Sequence, residues 1–251
     1  MAETILVTGA SAGFGQAICQ RLVADGHRVI GAARRIEKLQ ALHEELAEAF
    51  YPLQMDVTDL TQVDQALSSL PADWEQIDVL VNNAGLALGL APAQKAETAD
   101  WLTMIQTNII GLTYLTRQIL PQMVERNDGY VINMGSTAGT VPYPGANVYG
   151  ASKAFVKQFS LNLRADLAGK QIRVTNIEPG LCEGTEFSSV RFKGDEKRVE
   201  ALYRDAHAIQ PEDIANTVSW LIQQPKHVNV NRIEIMPVSQ TFGPQPVYRG
   251  D

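Results

Sequence analysis

The stretch Ile5-Leu6-Val7-Thr8-Gly9-Ala10-Ser11-Ala12-Gly13-Phe14-Gly15 decides the fold, because an apolar, β-branched run passes through a glycine-rich turn into a helical pattern. The run 5–8 predicts a strand, and residues 14–24, which end before Gly26, predict a helix. Glycines let the backbone of such a turn approach an anion, and the helix N-terminus offers unpaired N–H groups and a positive dipole end. The stretch therefore predicts a phosphate-binding loop, although its spacing Gly-x-x-x-Gly-x-Gly differs from the Gly-x-Gly-x-x-Gly dinucleotide motif.

The alternation of strand and helix patterns continues along the chain. Further strands are predicted at 27–33, 51–55, 77–81, 130–134 and 172–177, and helices from Leu39 to about Phe50, at 101–124, at 149–167 and from Pro211. Apolar strands separated by helical crossovers indicate a parallel sheet that is covered on both faces. We therefore expect an α/β fold over residues 1–251: a single-domain, doubly wound, Rossmann-like parallel sheet with helices on both faces.

One segment interrupts this rhythm. Residues 181–208 contain Gly, Ser, Lys, Arg and Asp and no clean strand, and they lie between the last predicted parallel strand and the helix at Pro211. Inserts at this point of such a sheet lie beside the ligand crevice, so we expect a substrate lid here. Residues 239–251 are expected to form a C-terminal tail, in which Tyr248 and Arg249 are hypothesised to reach the pocket of a neighbouring subunit.

Composition and charge exclude several classes of protein. The chain has 251 residues, is 45% hydrophobic, and carries 21 Lys+Arg against 28 Asp+Glu, which gives a net charge of −7. This composition excludes a disordered, collagen-like or disulfide-stapled chain, and the acidic balance without a basic run predicts no nucleic-acid partner. Because no signal peptide or membrane span is recognisable, we expect no membrane association and a cytoplasmic location. The four histidines and two cysteines match no metal spacing, so no metal is expected.

Two arginines follow the second predicted strand. Arg34 and Arg35 stand about 20 residues after the glycine turn, where a site that prefers NAD places an acid for the ribose 2′-hydroxyl. A guanidinium instead fits a 2′-phosphate through charge-assisted, bidentate hydrogen bonds. The pair therefore predicts NADP as cofactor.

Polar residues that suit proton transfer follow the later strands. Tyr149 and Lys153 are four residues apart on a predicted helix and share one face. An ammonium next to a phenol, together with the positive ring of an oxidised cofactor, favours the phenolate and lowers the pKa of the tyrosine. Such a tyrosine exchanges a proton with an alcohol or carbonyl oxygen while hydride moves. We expect Ser136 to orient that oxygen and Asn108 to hold a water that connects Lys153 to solvent.

A rival interpretation starts from the same turn. Gly9-Ala10-Ser11-Ala12-Gly13 also satisfies the Gly-x-Ser-x-Gly nucleophile elbow of α/β-hydrolases, and His207 or His227 would have to complete a triad. Against it, the turn follows the first strand of the sequence, so no upstream segment is seen that would supply the second oxyanion donor.

Taken together, the motifs resemble the short-chain dehydrogenase/reductase family over nearly the whole chain. The resemblance rests on Thr8-Gly9-x-x-x-Gly13-x-Gly15, Asn82-Asn83-Ala84-Gly85, Asn108, Ser136, Tyr149-x-x-x-Lys153 and Pro179-Gly180. It implies a catalytic set of Asn108, Ser136, Tyr149 and Lys153. Together with the glycine turn and the arginine pair, it implies a cofactor site made of Gly9, Ser11, Gly13, Phe14, Gly15, Arg34, Arg35, Asp56, Val57, Asn83, Ala84, Gly85, Tyr149, Lys153, Pro179 and Gly180. It also implies a homotetramer in which helices 101–124 and 149–167 are buried between subunits.

Shorter stretches are similar to bacterial NADP-dependent 3-hydroxy acid dehydrogenases, which act on L-allo-threonine and serine and reduce malonic semialdehyde. These stretches are Gly85–Gly89, Glu178–Leu181, Gly184–Ser188, Val190–Gly194 and Met236–Val238. The resemblance implies a small anionic hydroxy acid or aldehyde as substrate. An anion needs a fixed cation or several donors, so Arg191 is the first candidate for binding it, with Ser136, Tyr143, Asn147 and Tyr149 around it.

Two further functions remain open from the sequence. The sulfoacetaldehyde reductases, which form isethionate, resemble this chain as a sister group. A non-catalytic, NADP-sensing protein is the alternative from another class, against which the intact set of Ser136, Tyr149 and Lys153 argues.

Overall fold

The computed structural model describes residues 2–242. The predicted C-terminal tail therefore lies mostly outside the described residues, and so do Tyr248 and Arg249. Within the described chain, no helix combines the length and the apolar character needed to cross a bilayer.

The centre of the fold is a parallel sheet of seven strands. The strands are β1 (Thr4–Thr8), β2 (Arg28–Ala33), β3 (Phe50–Gln54), β4 (Val79–Asn82), β5 (Gly129–Met134), β6 (Ile172–Pro179) and β7 (Arg232–Ile235). Their order is β3-β2-β1-β4-β5-β6-β7, and every neighbouring pair runs parallel. The order reverses between β1 and β4, and such a reversal opens a ligand crevice at the carboxyl ends of the strands.

Helices cover both faces of this sheet. They are α1 (Gly13–Ala24), α2 (Ile36–Leu46), α3 (Leu60–Ser68), α4 (Thr98–Ile105), α5 (Leu112–Arg126), α6 (Asn147–Asp166), α7 (Phe187–Arg191), α8 (Glu196–Tyr203) and α9 (Pro211–Gln223). One apolar cluster joins α1, α2 and α9 to the sheet, and a second joins α3, α5 and α6 to the opposite face. The predicted doubly wound α/β fold is confirmed.

The predicted boundaries differ from the structure at several elements. Phe50, assigned to the second helix, instead begins β3, where its ring packs against Gly31: a Cβ on Gly31 would lie 2.2 Å from the ring. The predicted helix 101–124 is α4 and α5 joined by a π-helical turn, Gln106–Gly111. The fourth strand starts at Val79, two residues later than predicted.

Four of these elements, α3, α7, α8 and β7, were not assigned from the sequence. The helix α3 is short, and it buries only Val63 and Ala66. The strand β7 lies at the sheet edge, and its residues alternate between exposed and half-buried positions, so it lacks the apolar run of the inner strands.

Candidate active site

A cleft of about 730 Å³ lies at the carboxyl ends of the strands. The glycine turn after β1, the arginines after β2, and residues that follow β3, β4, β5 and β6 all reach it. The sequence-predicted residues that line it are Gly9, Ser11, Gly13, Phe14, Arg34, Arg35, Asp56, Val57, Asn83, Ala84, Gly85, Ser136, Tyr143, Tyr149, Lys153, Pro179, Gly180 and Arg191. Residues as far apart in the chain as Gly9 and Arg191, 182 positions, therefore meet in one cavity.

The glycine turn brings the backbone close to this cavity. Gly9 and Gly13 have φ angles of +68° and +53°, which a residue with a side chain adopts only with strain. Gly15 lies behind the turn and does not line the cleft. A Cβ at this position would stand 2.2 Å from the Gly9 carbonyl oxygen, so only glycine allows this close approach. Gly15 thus acts by letting the start of α1 pack against the turn, and the α1 N-terminus opens at the cleft.

Hydrogen bonds join this turn to the end of β4. The Thr8 hydroxyl accepts from the backbone N–H groups of Asn83 and Ala84, at 3.0 and 2.9 Å. The Asn83 side-chain amide donates back to the Thr8 carbonyl at 2.8 Å. These three bonds cross the point where the strand order reverses, and they fix the floor of the cleft. Because β1 and β4 are neighbours in the sheet, the predicted motifs at Gly9 and Asn83 form one unit.

The two arginines behave differently from each other. Arg35 turns its Nε and Nη2 toward the Ser11 hydroxyl, at 3.2 and 3.0 Å, and its Nη1 toward the carboxylate of Glu186, at 2.9 Å. Arg34 is exposed, lines the cleft, and makes no ion pair within residues 2–242. The next strand end contributes Asp56, whose carboxylate accepts from the N–H and hydroxyl of Thr58, at 2.9 and 2.7 Å.

The hydrolase interpretation finds no support in this geometry. The Ser11 hydroxyl oxygen accepts hydrogen bonds from Arg35, and none of the described residues that line the cleft is a histidine. A serine without a neighbouring base is not an activated nucleophile.

Tyr149 also lines the cleft, from the first turn of α6, and is 7% exposed. Burial raises the pKa of Tyr149 to about 12, while the Ser136 hydroxyl and the Arg191 guanidinium oppose this rise. Ser136 begins a short 3₁₀ turn after β5, where its hydroxyl accepts from the Ala138 N–H at 3.1 Å. The tyrosine and serine hydroxyls therefore share one corner of the cleft.

Lys153 stands one helical turn further on and is 6% exposed. Its ammonium donates to the Met134 carbonyl at 2.8 Å and lies 5.9 Å from the centre of the Tyr149 ring. Burial lowers the pKa of Lys153 to about 8. The Arg191 guanidinium is one cause that lowers the pKa of Tyr149. That Lys153 lowers it when an oxidised cofactor is bound stays a prediction.

Asn108 lies one layer behind the cleft and does not line it. It is 1% exposed, within the π-helical turn between α4 and α5. Its side-chain amide accepts from the Leu86 N–H and donates to the Leu86 carbonyl, both at 2.9 Å, and donates to the Ser152 hydroxyl at 3.0 Å. Asn108 therefore joins the loop after β4 to α6. Its side-chain oxygen and the Lys153 nitrogen both lie 3.3 Å from the place where a Cβ on Gly85 would stand. Its expected role in holding a water that connects Lys153 to solvent stays a prediction.

Arg191, at the end of α7, reaches the cleft beside Tyr149. Its guanidinium donates to the Tyr143 hydroxyl at 2.9 Å and lies 5.4 Å from the centre of the Tyr149 ring. It has no carboxylate partner within the described chain.

The prediction that Asn147 lines the substrate pocket is wrong, because its amide is taken up by the Trp101 indole and the Ala91 carbonyl, both at 3.1 Å.

Sequence reasoning missed other residues in the 181–208 segment. Thr185, Glu186 and Phe187 line the cleft, and the Phe187 ring lies 5.8 Å from that of Tyr149. These three residues fall within a stretch that carried the narrower resemblance, but no residue type or spacing there indicated a role. Within residues 2–242, no three His, Cys, Asp or Glu side chains come together as a metal site would require.

Comparison with known proteins agrees with this geometry. The family model for short chain dehydrogenases matches residues 3–196. The chain is 58% identical to the NADP-dependent 3-hydroxy acid dehydrogenase YdfG of Salmonella typhi, over 98% of this chain and 99% of that protein. It is 52% identical to the serine 3-dehydrogenase of Rhizobium radiobacter, over 99% of both chains.

A solved structure shares the whole architecture. The closed form of a serine dehydrogenase complexed with NADP+ superposes with a TM-score of 0.97, at 55% sequence identity, and the match covers 98% of this chain and 100% of that one. The family match over most of the sequence thus accompanies three structural features. These are the parallel sheet, the glycine turn at the reversal of strand order, and the buried Tyr149 and Lys153 on one helix. The chain belongs to the short-chain dehydrogenase family.

Proposed function

We propose that the protein is an NADP(H)-dependent oxidoreductase that interconverts a small anionic hydroxy acid and its aldehyde or ketone. The substrates we propose are of the 3-hydroxypropionate/malonic semialdehyde, L-allo-threonine and serine type. The observation on which this rests is that one cleft holds the Tyr149 phenol, the Arg191 guanidinium, which has no carboxylate partner among residues 2–242, and a glycine turn flanked by arginines. Relatives named for NADP and for 3-hydroxy acids or serine support the proposal.

The residues present fit a nicotinamide dinucleotide. The turn positions at Gly9 and Gly13 leave the backbone open to a pyrophosphate, and the α1 N-terminus lies beside them. Arg34 and Arg35 offer guanidinium groups for a 2′-phosphate, and Pro179 and Gly180 line the cleft near Tyr149. When bound, the cofactor supplies or accepts the hydride.

The chain's own residues handle the proton. With a pKa near 12, Tyr149 is a protonated phenol at neutral pH, and it donates that proton to the carbonyl oxygen during reduction. Ser136 orients the same oxygen. Lys153, with a pKa near 8, is able to give and take a proton near neutral pH. Its nitrogen lies 5.9 Å from the centre of the Tyr149 ring, so we infer that the proton reaches the phenol through a hydroxyl group or a water between them. In the oxidative direction Tyr149 must first lose its own proton, and the resulting phenolate then accepts the proton of the alcohol.

Arg191 is our candidate for the anionic end of the substrate. It lies next to Tyr149, and Tyr143 fixes its guanidinium from the side. A fixed, unpaired guanidinium offers a carboxylate two parallel hydrogen bonds. Because Arg191 belongs to the 181–208 segment, we infer that this segment is a lid that completes the substrate site.

The proposal is tested by measuring turnover on a panel. NADPH consumption is followed with malonic semialdehyde and with sulfoacetaldehyde, and NADP+ reduction with serine, L-allo-threonine and 3-hydroxypropionate. We expect the carboxylate substrates to be turned over and NADPH to be used in preference to NADH. Preference for sulfoacetaldehyde would assign the sister activity, and binding of NADPH without turnover of any substrate would indicate the sensing function.

We further infer a cytoplasmic homotetramer. The helices α4 and α6 expose large apolar side chains, Leu102 at 62%, Phe155 at 39% and Leu161 at 40%. Exposed apolar groups on neighbouring helices are typical of subunit contacts. Light scattering that gives the mass of a monomer at micromolar concentration would contradict the tetramer.

A further inference from the structure

Glu186 bridges the predicted lid and the arginine end of the cleft. Its carboxylate pairs with Arg35 at 2.9 Å and with the Lys38 ammonium at 2.8 Å. These are the ion pairs that join the 181–208 segment to the start of α2 in the described residues. The two cations lower the pKa of Glu186, so the carboxylate is ionised at neutral pH.

The Glu186 carboxylate binds the same guanidinium, that of Arg35, which also contacts the glycine turn. Arg35 places its Nε and Nη2 on the Ser11 hydroxyl, at the glycine turn, and its remaining nitrogen on Glu186. The proposed function gives the same guanidinium to the 2′-phosphate of the cofactor. A 2′-phosphate bound there would carry a charge near −2 and would stand close to a second anion that uses the same cation.

We propose that Glu186 is a specificity-determining residue that weakens the binding of cofactors with a 2′-phosphate, by competing with the phosphate for Arg35 and Lys38. This inference rests on the proposed use of NADP. It adds that Glu186 keeps the affinity for NADP lower than Arg35 and Lys38 would give without it. A cofactor without the 2′-phosphate, such as NADH, meets no competing anion and gains nothing from the loss of Glu186.

The surroundings of Glu186 argue for competition rather than for a structural role. Its side chain is 49% exposed, and those of Arg35 and Lys38 are 40% and 44% exposed, so none of the three depends on the pair to satisfy a buried charge. Exposed pairs of this kind contribute little to folding stability. Arg34, in contrast, lines the cleft with no ion pair in the described chain and remains available to the phosphate.

The experiment compares Glu186→Gln with the wild type and with a matched control. Glu200→Gln removes a carboxylate from the same segment, where Glu200 pairs with Arg204 on the exposed side of α8 and does not line the cleft. Dissociation constants are measured by calorimetry for NADPH, NADH, 2′,5′-ADP and 5′-AMP. Glu186→Asp, which retains the charge, serves as the conservative variant.

We expect Glu186→Gln to bind NADPH and 2′,5′-ADP about fivefold more tightly, and NADH and 5′-AMP as the wild type does. Glu200→Gln should bind all four ligands as the wild type does, and Glu186→Asp should lie between the wild type and the glutamine variant. Unchanged or weaker binding of NADPH by Glu186→Gln overturns the proposal, and so does equal tightening of NADH and NADPH. A wild type that does not prefer NADPH refutes the proposed function instead, so the two failures are distinguishable.

Discussion

Replacing Lys153 by methionine should remove a pH-dependent contribution to stability. The pKa of Lys153 lies at about 8 in the folded protein against 10.5 for an unperturbed lysine, because the side chain is 6% exposed. Between these values the unfolded chain binds the proton and the folded chain does not, so the free energy of unfolding rises with pH. At about 1.4 kcal/mol per pH unit, the rise amounts to about 2.5 kcal/mol between pH 7 and pH 10.

The assay is urea unfolding of the wild type and of Lys153→Met at equal protein concentration, followed by tryptophan fluorescence at several pH values. Other groups titrate in the same range, since burial also raises the pKa values of Tyr149 and Cys182, but both proteins share them. The informative quantity is therefore the stability of the wild type minus that of the variant. This difference should become more favourable to the wild type as pH rises. A flat difference, or one that falls, would show that Lys153 is not buried as the site requires.

Three other variants test separate parts of the site. Replacing Arg34 and Arg35 by alanine should weaken NADP+ binding about 10- to 100-fold and leave NAD+ binding nearly unchanged; equal losses for both would remove the 2′-phosphate role. Gly15→Ala should cost about 1–3 kcal/mol of stability, because its Cβ meets the Gly9 carbonyl, and an unaltered melting temperature would contradict this packing. Arg191→Gln should raise KM about tenfold or more for a carboxylate substrate but not for a neutral aldehyde of the same size; a uniform change would exclude anion recognition.

Most of the cleft was predictable because its residues follow strands. The carboxyl ends of parallel strands meet at one edge of the sheet, and Gly9, Arg34 and Asn83, which follow β1, β2 and β4, come together there. The geometry of Tyr149 and Lys153 follows in the same way from their spacing on one helix. Local pattern and topology are sufficient for such residues.

Residues whose roles depend on contacts between distant segments were not predictable in this way. Asn147 has the residue type of a pocket residue, but the Trp101 indole and a backbone carbonyl take up its amide. Asn108 occupies a π-helical turn that no periodicity indicates. Glu186 meets Arg35 across a separation of 151 positions, and only the folded chain shows that pair. The pKa of Tyr149 likewise depends on burial, which outweighs the charges near it.

The central claim is that the Tyr149 hydroxyl transfers the proton while hydride moves in this cleft. The most direct measurement is a single-turnover experiment with NADPH and malonic semialdehyde, comparing the wild type with Tyr149→Phe, which keeps the ring against Phe187 and Arg191. We predict NADPH binding within about twofold of the wild type and a rate of hydride transfer that falls about 10²- to 10⁴-fold. A phenylalanine variant that binds NADPH and oxidises it at the wild-type rate would contradict the account.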